Sequence, residues 1–282
     1  MQSFKLPVLI ILISLSANSF AQSTKLDVQE GQKFQVETST RMTSSAEVMG
    51  QTMETNTDSK NIIIYEIVKT ESDGIKLHST VTKLLVTGSS MGQELAFDSD
   101  KKENEGPLAE MLSKVINKKK ELTIDSKGSV IKSEDNEDNG SMGAMMGVPG
   151  SGQEPVTELF IPGLLGRELK TGESFTDIST VKKEKYESRD SGTYTVTNIE
   201  NGVASISYTG KQVTSATMEQ MGMEMVSASN NIVKTELQMD IHTGMVLVKA
   251  TVIESTVSIE VGGMSIPATG KSIITMKISP VQ

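Results

Sequence analysis

Residues 233–244 read Val-Lys-Thr-Glu-Leu-Gln-Met-Asp-Ile-His-Thr-Gly, and their reading decides the fold. Val233, Leu237, Met239 and Ile241 alternate with Lys234, Glu236, Gln238 and Asp240, and Thr243-Gly244 then ends the run. A period of two puts one face on a core and the other in water, as in a half-buried strand. The pattern recurs at Ile63, Tyr65 and Ile67, at Val257, Ile259 and Val261, and at Ile274, Met276 and Ile278. Thr, Val and Ile dominate these runs, as strands prefer. Asp73-Gly74, Lys127-Gly128, Asn201-Gly202 and Gly262-Gly263 punctuate them. Asn201-Gly202 predicts a tight hairpin between 194–200 and 203–213. Met49-Gly50-Gln51, Met91-Gly92-Gln93 and Met221-Gly222-Met223 read as further hairpin tips.

One segment has the helical period instead. Leu108, Met111, Leu112, Val115 and Ile116 fall at i, i+3, i+4, i+7 and i+8 behind Pro107, which suits a first turn. Lys118 to Lys120 suit the C-terminal end of the helix dipole. A second, weaker helical turn is expected at Pro155 to Phe160, stopped by Pro162-Gly163. The expected fold is mainly β: antiparallel curved sheets in two related halves, with one amphipathic helix packed on the sheet.

The halves are read from three shared features. Gly31-Gln32-Lys33-Phe34 opens the first and Gly172-Glu173-Ser174-Phe175 the second. Each half has a Tyr-led strand into a Gly-ending turn, Tyr65 to Gly74 and Tyr194 to Gly202. Each has an Asp-to-Gly turn between strands, at Asp125 to Gly128 and at Asp240 to Gly244. The expected division is a leader over 1–21, a first β-rich half over 22–133 with its helix at about 107–118, an acidic, Gly- and Met-containing linker or mobile loop over 134–153, and a second β-rich half over 154–282.

The leader reading rests on Lys5, the apolar run Leu6 to Leu15, and small Ser19 and Ala21 before Gln22. It implies cleavage after Ala21 and a periplasmic or secreted protein. No Cys is present, so neither a lipid-anchored cysteine nor a disulfide framework is available. A net charge of −9 argues against nucleic acid, which requires a basic surface. Four Tyr, six Phe and no Trp are too few for the aromatic girdles of a membrane-spanning barrel. No later apolar run is long enough for a transmembrane helix.

No catalytic constellation stands out. Gly88-Ser89-Ser90-Met91-Gly92 matches a nucleophile-elbow pattern, but strand-like Leu95 and Phe97 follow where a helix is needed, so a hairpin tip is expected. Asp135 to Gly140 starts like a calcium loop, yet Met146 stands where the bidentate Glu belongs. Neither His78 nor His242 has a motif-spaced partner. The seventeen methionines are the oddest feature, with clusters at Met142, Met145 and Met146 and at Met218, Met221, Met223 and Met225. Thioethers select Cu(I), but Met221, Met223 and Met225 at period two also suit one buried strand face.

The leader without a cysteine anchor, the Tyr65–Gly74 strand and turn, Phe97-Asp98-Ser99 before the Pro107 helix, and the Pro162 to Phe175 entry together resemble a family of exported, β-rich proteins of Gram-negative bacteria that carry a domain of unknown function. That resemblance implies no activity. A curved sheet with a helix on its concave face is also similar to the half-barrel lipid and lipoprotein carriers of the cell envelope. The expectation is a non-catalytic envelope protein binding an apolar ligand or a protein partner, with no cofactor, no metal and no membrane span. The alternatives are a structural or adhesive interaction protein and a Met-rich Cu(I)-binding module.

Overall fold

The computed structural model describes residues 22–23, 26–48, 50–71, 74–90, 93–101, 103–133, 159–183, 185–220 and 223–281. The leader, the 134–153 stretch with its acids and Met142, Met145 and Met146, and the Met91-Gly92 and Met221-Gly222 tips lie outside these residues. The alternating runs become long strands. In chain order these are β1 (Gln22–Ser23), β2 (Lys33–Val48), β3 (Gln51–Glu71), β4 (Gly74–Ser90), β5 (Gln93–Asp98), β6 (Lys119–Ile124), β7 (Val130–Ser133), β8 (Glu168–Leu169), β9 (Ser174–Lys183), β10 (Tyr186–Glu200), β11 (Val203–Gln220), β12 (Met223–Asp240), β13 (Val246–Val261) and β14 (Met264–Pro280). One helix, α1 (Pro107–Ser113), lies between β5 and β6. At about 3.3 Å per residue, the longer strands run for roughly 50–70 Å.

Twelve strands make one sheet in the order β7-β6-β4-β3-β2-β14-β13-β12-β11-β10-β9, with β5 paired to β4. Its named pairings are all antiparallel. Two meanders, β2 to β7 and β9 to β14, join where β14 pairs β2. Asn201-Gly202 forms the predicted tight turn, with both residues in the left-handed region at φ 52° and 79°. A left-handed φ at Asn and Gly is what such a turn requires.

The entries to the two meanders are built alike. Gly31 N donates to Ile67 O at 2.8 Å, and Ile67 N donates back to Gln32 O at 2.9 Å. Gly172 N donates to Val196 O at 2.8 Å, and Val196 N donates back to Glu173 O at 2.9 Å. Both glycines have positive φ, 83° and 85°. The register then slips just beyond each partner, between Ile67 and Lys69 and between Val196 and Asn198. The Asp turns also match. Asp125 Oδ1 accepts from Lys127 N and Ser129 N, and Asp240 Oδ1 accepts from His242 N and Thr243 N.

One face of the sheet holds the buried side chains, and at one end of the strands these are apolar. There Phe34, Val36, Ile63, Tyr65, Ile67, Leu77, Leu122 and Ile124 form a core with Leu159, Phe160 and Leu165. Val196, Ile206, Leu237 and Met239 form a second core with Leu164 and Leu169. Residues 159–169 therefore cover both meanders. Val246 N donates to Leu159 O at 2.9 Å, fixing the segment to the sheet. Gly128 makes room for it, since a Cβ there would lie 2.8 Å from Leu165 and 3.1 Å from Phe160. The second helical turn expected up to Phe160 is absent at its described end, where Phe160 instead makes an isolated antiparallel bridge to Met245.

The α1 helix is shorter than the apolar stripe predicts. It ends at Ser113 rather than Ile116. Val115 N bonds to Leu112 O three residues back, a tightening turn, and Asn117 at φ 57° leaves the helical path. Asn117 N then donates to Val81 O, leading the chain into β6. Ala109 and Leu112 are buried with Leu84, Val86 and Phe97. The helix thus lies beside β4 and β5, not under the middle of the sheet.

Phe160→Ala should remove the largest side chain of the covering segment. It is expected to cost about 3–5 kcal/mol, read as a lower denaturant midpoint at unchanged slope.

Candidate functional site

The covered face changes character along each strand. On β3 the inward positions run Ile67, Tyr65, Ile63, then Asn61, Ser59, Thr57. On β2 they run Phe34, Val36, then Thr38, Thr40. Strand register sets these beside one another, Thr38 opposite Asn61 and Thr40 opposite Ser59. Leu84 and Val86 lie opposite Asn61 and Ser59 on β4, and Met276 and Ile274 lie opposite Thr38 and Thr40 on β14. The result is a polar patch with apolar walls on both sides.

The patch is deeply buried: Asn61 is 3 % exposed, Thr38, Thr57 and Ser59 are 4 %, and Thr40 is 7 %. Asn61 Nδ2 and Oδ1 and the hydroxyls of Thr38, Thr40 and Thr57 have no hydrogen-bond partner among the described residues. A buried polar group without a partner costs about 1–3 kcal/mol. Two other buried threonines further along the row, Thr235 and Thr251, bond each other at 2.9 Å. The patch therefore holds both donors and acceptors able to take a partner that the described residues do not provide.

A second polar group lies on the same face at the β9 side. Asp190 is half-buried, and burial raises its carboxyl above the ordinary carboxylate range. Hydrogen bonds from Gln212, Ser188 and Ser179 oppose that rise, while Asp177 adds to it. Gln212 Oε1 in turn accepts from Asn231 Nδ2 at 2.9 Å. Next to them an aromatic row runs Phe175, Tyr194, Tyr208, with ring centroids 5.4 and 4.6 Å apart. Arg167 from the covering segment sits 4.5 Å over the Phe175 ring. Burial also raises the Tyr194 hydroxyl. Tyr208 lies over the directly paired Gly192 and Gly210, where a Cβ at either would fall within 2.4 Å of its ring or hydroxyl.

Asp177 and Asp190 are carboxylates brought to one face of adjacent strands. The three donors on Asp190 tie it into the ladder across the strands. The other singled-out residues do not converge. Ser89 lies in the antiparallel β4–β5 pair opposite Glu94, so no helix follows it. His78 is on β4 too, about 36 Å from Ser89 at 3.3 Å per residue, between Glu66 and Glu121 in register. Lys33 holds that Glu66 below the usual carboxylate range. His242 is exposed in the Asp240 turn. Among the described residues no group of three or more His, Cys, Asp and Glu could hold a metal ion. Met218 pairs with Met225 in register, where Met225 is only half-buried; among the described residues the core methionines are Met239, Met245 and Met276.

The outward face carries a shallow depression of about 450 Å³ lined by Ser39, Arg41, Asp58, Lys60, Leu85 and Ile273. The Arg41–Asp58 ion pair in it, at 2.8 Å, is largely exposed. No described helix is long and apolar enough to cross a membrane.

Sequence reading missed the buried patch, because Thr, Ser and Asn in alternation read as the wet side of a strand. The available signal was parity. Thr57, Ser59 and Asn61 are in step with Ile63, Tyr65 and Ile67, and so share their face.

No family model matches the chain, and no curated protein matches it. Its structure is weakly similar to Gram-negative outer membrane channels. Pseudomonas aeruginosa OccK7 (OpdD) is 6 % identical at a TM-score of 0.30, over 89 % of this chain and 100 % of that one. An outer membrane channel from Pseudomonas putida F1 is 7 % identical at 0.23, over 93 % and 98 %. DynF from the dynemicin biosynthesis pathway of Micromonospora chersina is 6 % identical at 0.25, over 97 % and 92 %. At these scores none of the three bears on how this chain folds or works.

The raised Asp190 carboxyl means the folded chain holds this proton more tightly than the unfolded chain. Its contribution favours folding at acid pH and is lost as pH rises through the raised value. Asp190→Asn is therefore expected to stabilise the protein near neutral pH. The gain should fade below about pH 4, where the unfolded carboxyl is also protonated. Denaturation at several pH values reads this directly.

Proposed function

We propose that this chain is a non-catalytic exported envelope protein, built from two related halves, that holds an apolar molecule against the covered face of its sheet. The observation that carries this reading is the patch of unpartnered polar atoms at Asn61, Thr38, Thr40 and Thr57, walled by Leu84, Val86, Ile274 and Met276. Ordered water or a bound molecule could satisfy such atoms. Apolar walls on both sides favour a molecule that is itself mostly apolar.

The outward face supports a chain that is not embedded in lipid. Arg41, Lys60, Lys234 and Lys271 all point outward and are exposed along the middle strands. In a lipid-facing band each would cost about 2–4 kcal/mol at the bilayer midplane. An interaction protein that pairs through a sheet edge is less well supported. β9 is an edge strand with Ile178 exposed, but Lys182 guards its far end.

The related halves are supported by the matched Gly31 and Gly172 entries, the matched register slips and the matched Asp turns. If the halves are copies, the two turns do equal work. Asp125→Ala and Asp240→Ala should each cost about 1–3 kcal/mol, since each removes one acceptor of two backbone N–H groups. Costs differing more than threefold would speak against equivalence.

Native mass spectrometry on the full chain exported in its own host, with and without Cu(I), tests the ligand reading. A co-purifying mass of lipid size supports it. A bare chain that also takes up no added lipid, or one that takes up Cu(I) alone, overturns it.

A further inference from the structure

The second meander contains a position-for-position counterpart of the polar patch. Phe34 pairs Tyr65 and Thr38 pairs Asn61, while Phe175 pairs Tyr194 and Ser179 pairs Asp190. The next strand over differs. Asp190 faces Gln212, whereas Asn61 faces Leu84. Gln212, Ser188 and Ser179 satisfy the carboxylate from within the fold. Leu84 offers Asn61 nothing, and both polar atoms of its amide are left without a partner among the described residues while only 3 % of the residue is exposed.

Resting on the apolar-ligand reading above, we propose that the Asn61 node recognises the uncharged, hydrogen-bonding head of an apolar molecule, such as an amide, an ester or an alcohol on a hydrocarbon chain. Asn61 can donate through Nδ2 and accept through Oδ1 at once, and the hydroxyls of Thr38, Thr40 and Thr57 can do either. A primary amide matches this with two bonds to the Asn61 side chain. A carboxylate head has no proton to give Oδ1, and it would carry its charge into a buried, neutral patch. The covered-face cation in the same row, Lys249, lies beyond Met276 on β13 and has an interaction of its own. Leu84, Val86 and Phe97 are already packed against Ala109 and Leu112 of α1, so the hydrocarbon would lie on the other side, along Met276 and half-buried Ile274.

The test compares two probes that share one chain, oleamide and oleate, by calorimetric titration of the full protein after removal of co-purified lipid. Oleamide is expected to bind at least tenfold more tightly than oleate. Thr38→Val, which keeps the shape and removes one unpartnered hydroxyl, should keep or raise the unfolding midpoint while weakening oleamide at least threefold. Asn61→Leu should abolish the preference between the two probes. Leu84→Gln, which supplies the partner that Gln212 gives Asp190, should weaken oleamide as well. If both probes bind equally and the variants change only stability, the head-group inference is overturned and the apolar carrier stands. If neither probe binds, the carrier reading itself falls.

Discussion

A sheet twelve strands wide must hide the apolar patches on its inner face, and eleven residues between the two meanders cover two of them. Leu159, Phe160 and Leu165 close over the first meander while Leu164 and Leu169 close over the second. The hydrophobic effect scales with area removed from water, so a short segment that touches two cores counts twice. Gly128, Arg167 and the β12–β13 turn all serve the position of this segment. Gly128 leaves room beneath it, Arg167 stacks on Phe175, and Val246 hydrogen-bonds its first residue. The two cores, although assembled from strands far apart in sequence, share one lid and are thereby coupled.

The apolar lining beneath the 159–169 segment ends where the strands turn polar. Beyond Val36 and Ile63 the same face presents Thr, Ser and Asn. Those groups are buried as well, at a cost set by every hydrogen bond with water that is not replaced. The second meander resolves this with an internal ladder from Ser179 and Asp190 through Gln212 to Asn231. In the first meander the equivalent ladder is interrupted at Leu84. That single difference separates a self-contained polar seam from one open to a partner.

The fold was largely legible because its period is two almost throughout. The runs around Tyr65, Leu237 and Met276 all face the core as their alternation implies, and the Asn201-Gly202 turn needed only its two residues. The covering segment was not legible as such. Leu159 to Leu169 has no strand period, and its role depends on two surfaces that exist only once the sheet has formed. The helix was legible in place but not in length, since Val115 and Ile116 continue the apolar stripe in a tightening turn that leads to β6. The polar patch was hidden for the opposite reason. Alternation tells which residues share a face, but Thr, Ser and Asn carry no mark of burial in the sequence, and only the assembled sheet places Asn61 and Thr57 inside.

The pairing of β14 with β2 has a consequence for how the molecule comes into being. Val36 lies against Ile278, and Val281 N hydrogen-bonds Lys33 O at 2.9 Å. The middle of the sheet is thus stitched from the first long strand and the last one. Each meander can zip up locally as it emerges, but the seam between them waits for almost the entire chain. Long-range pairings of this kind slow folding. The centre of the sheet is therefore the last part of the molecule to close, with the facing edges of β2 and β14 open until the two meanders meet.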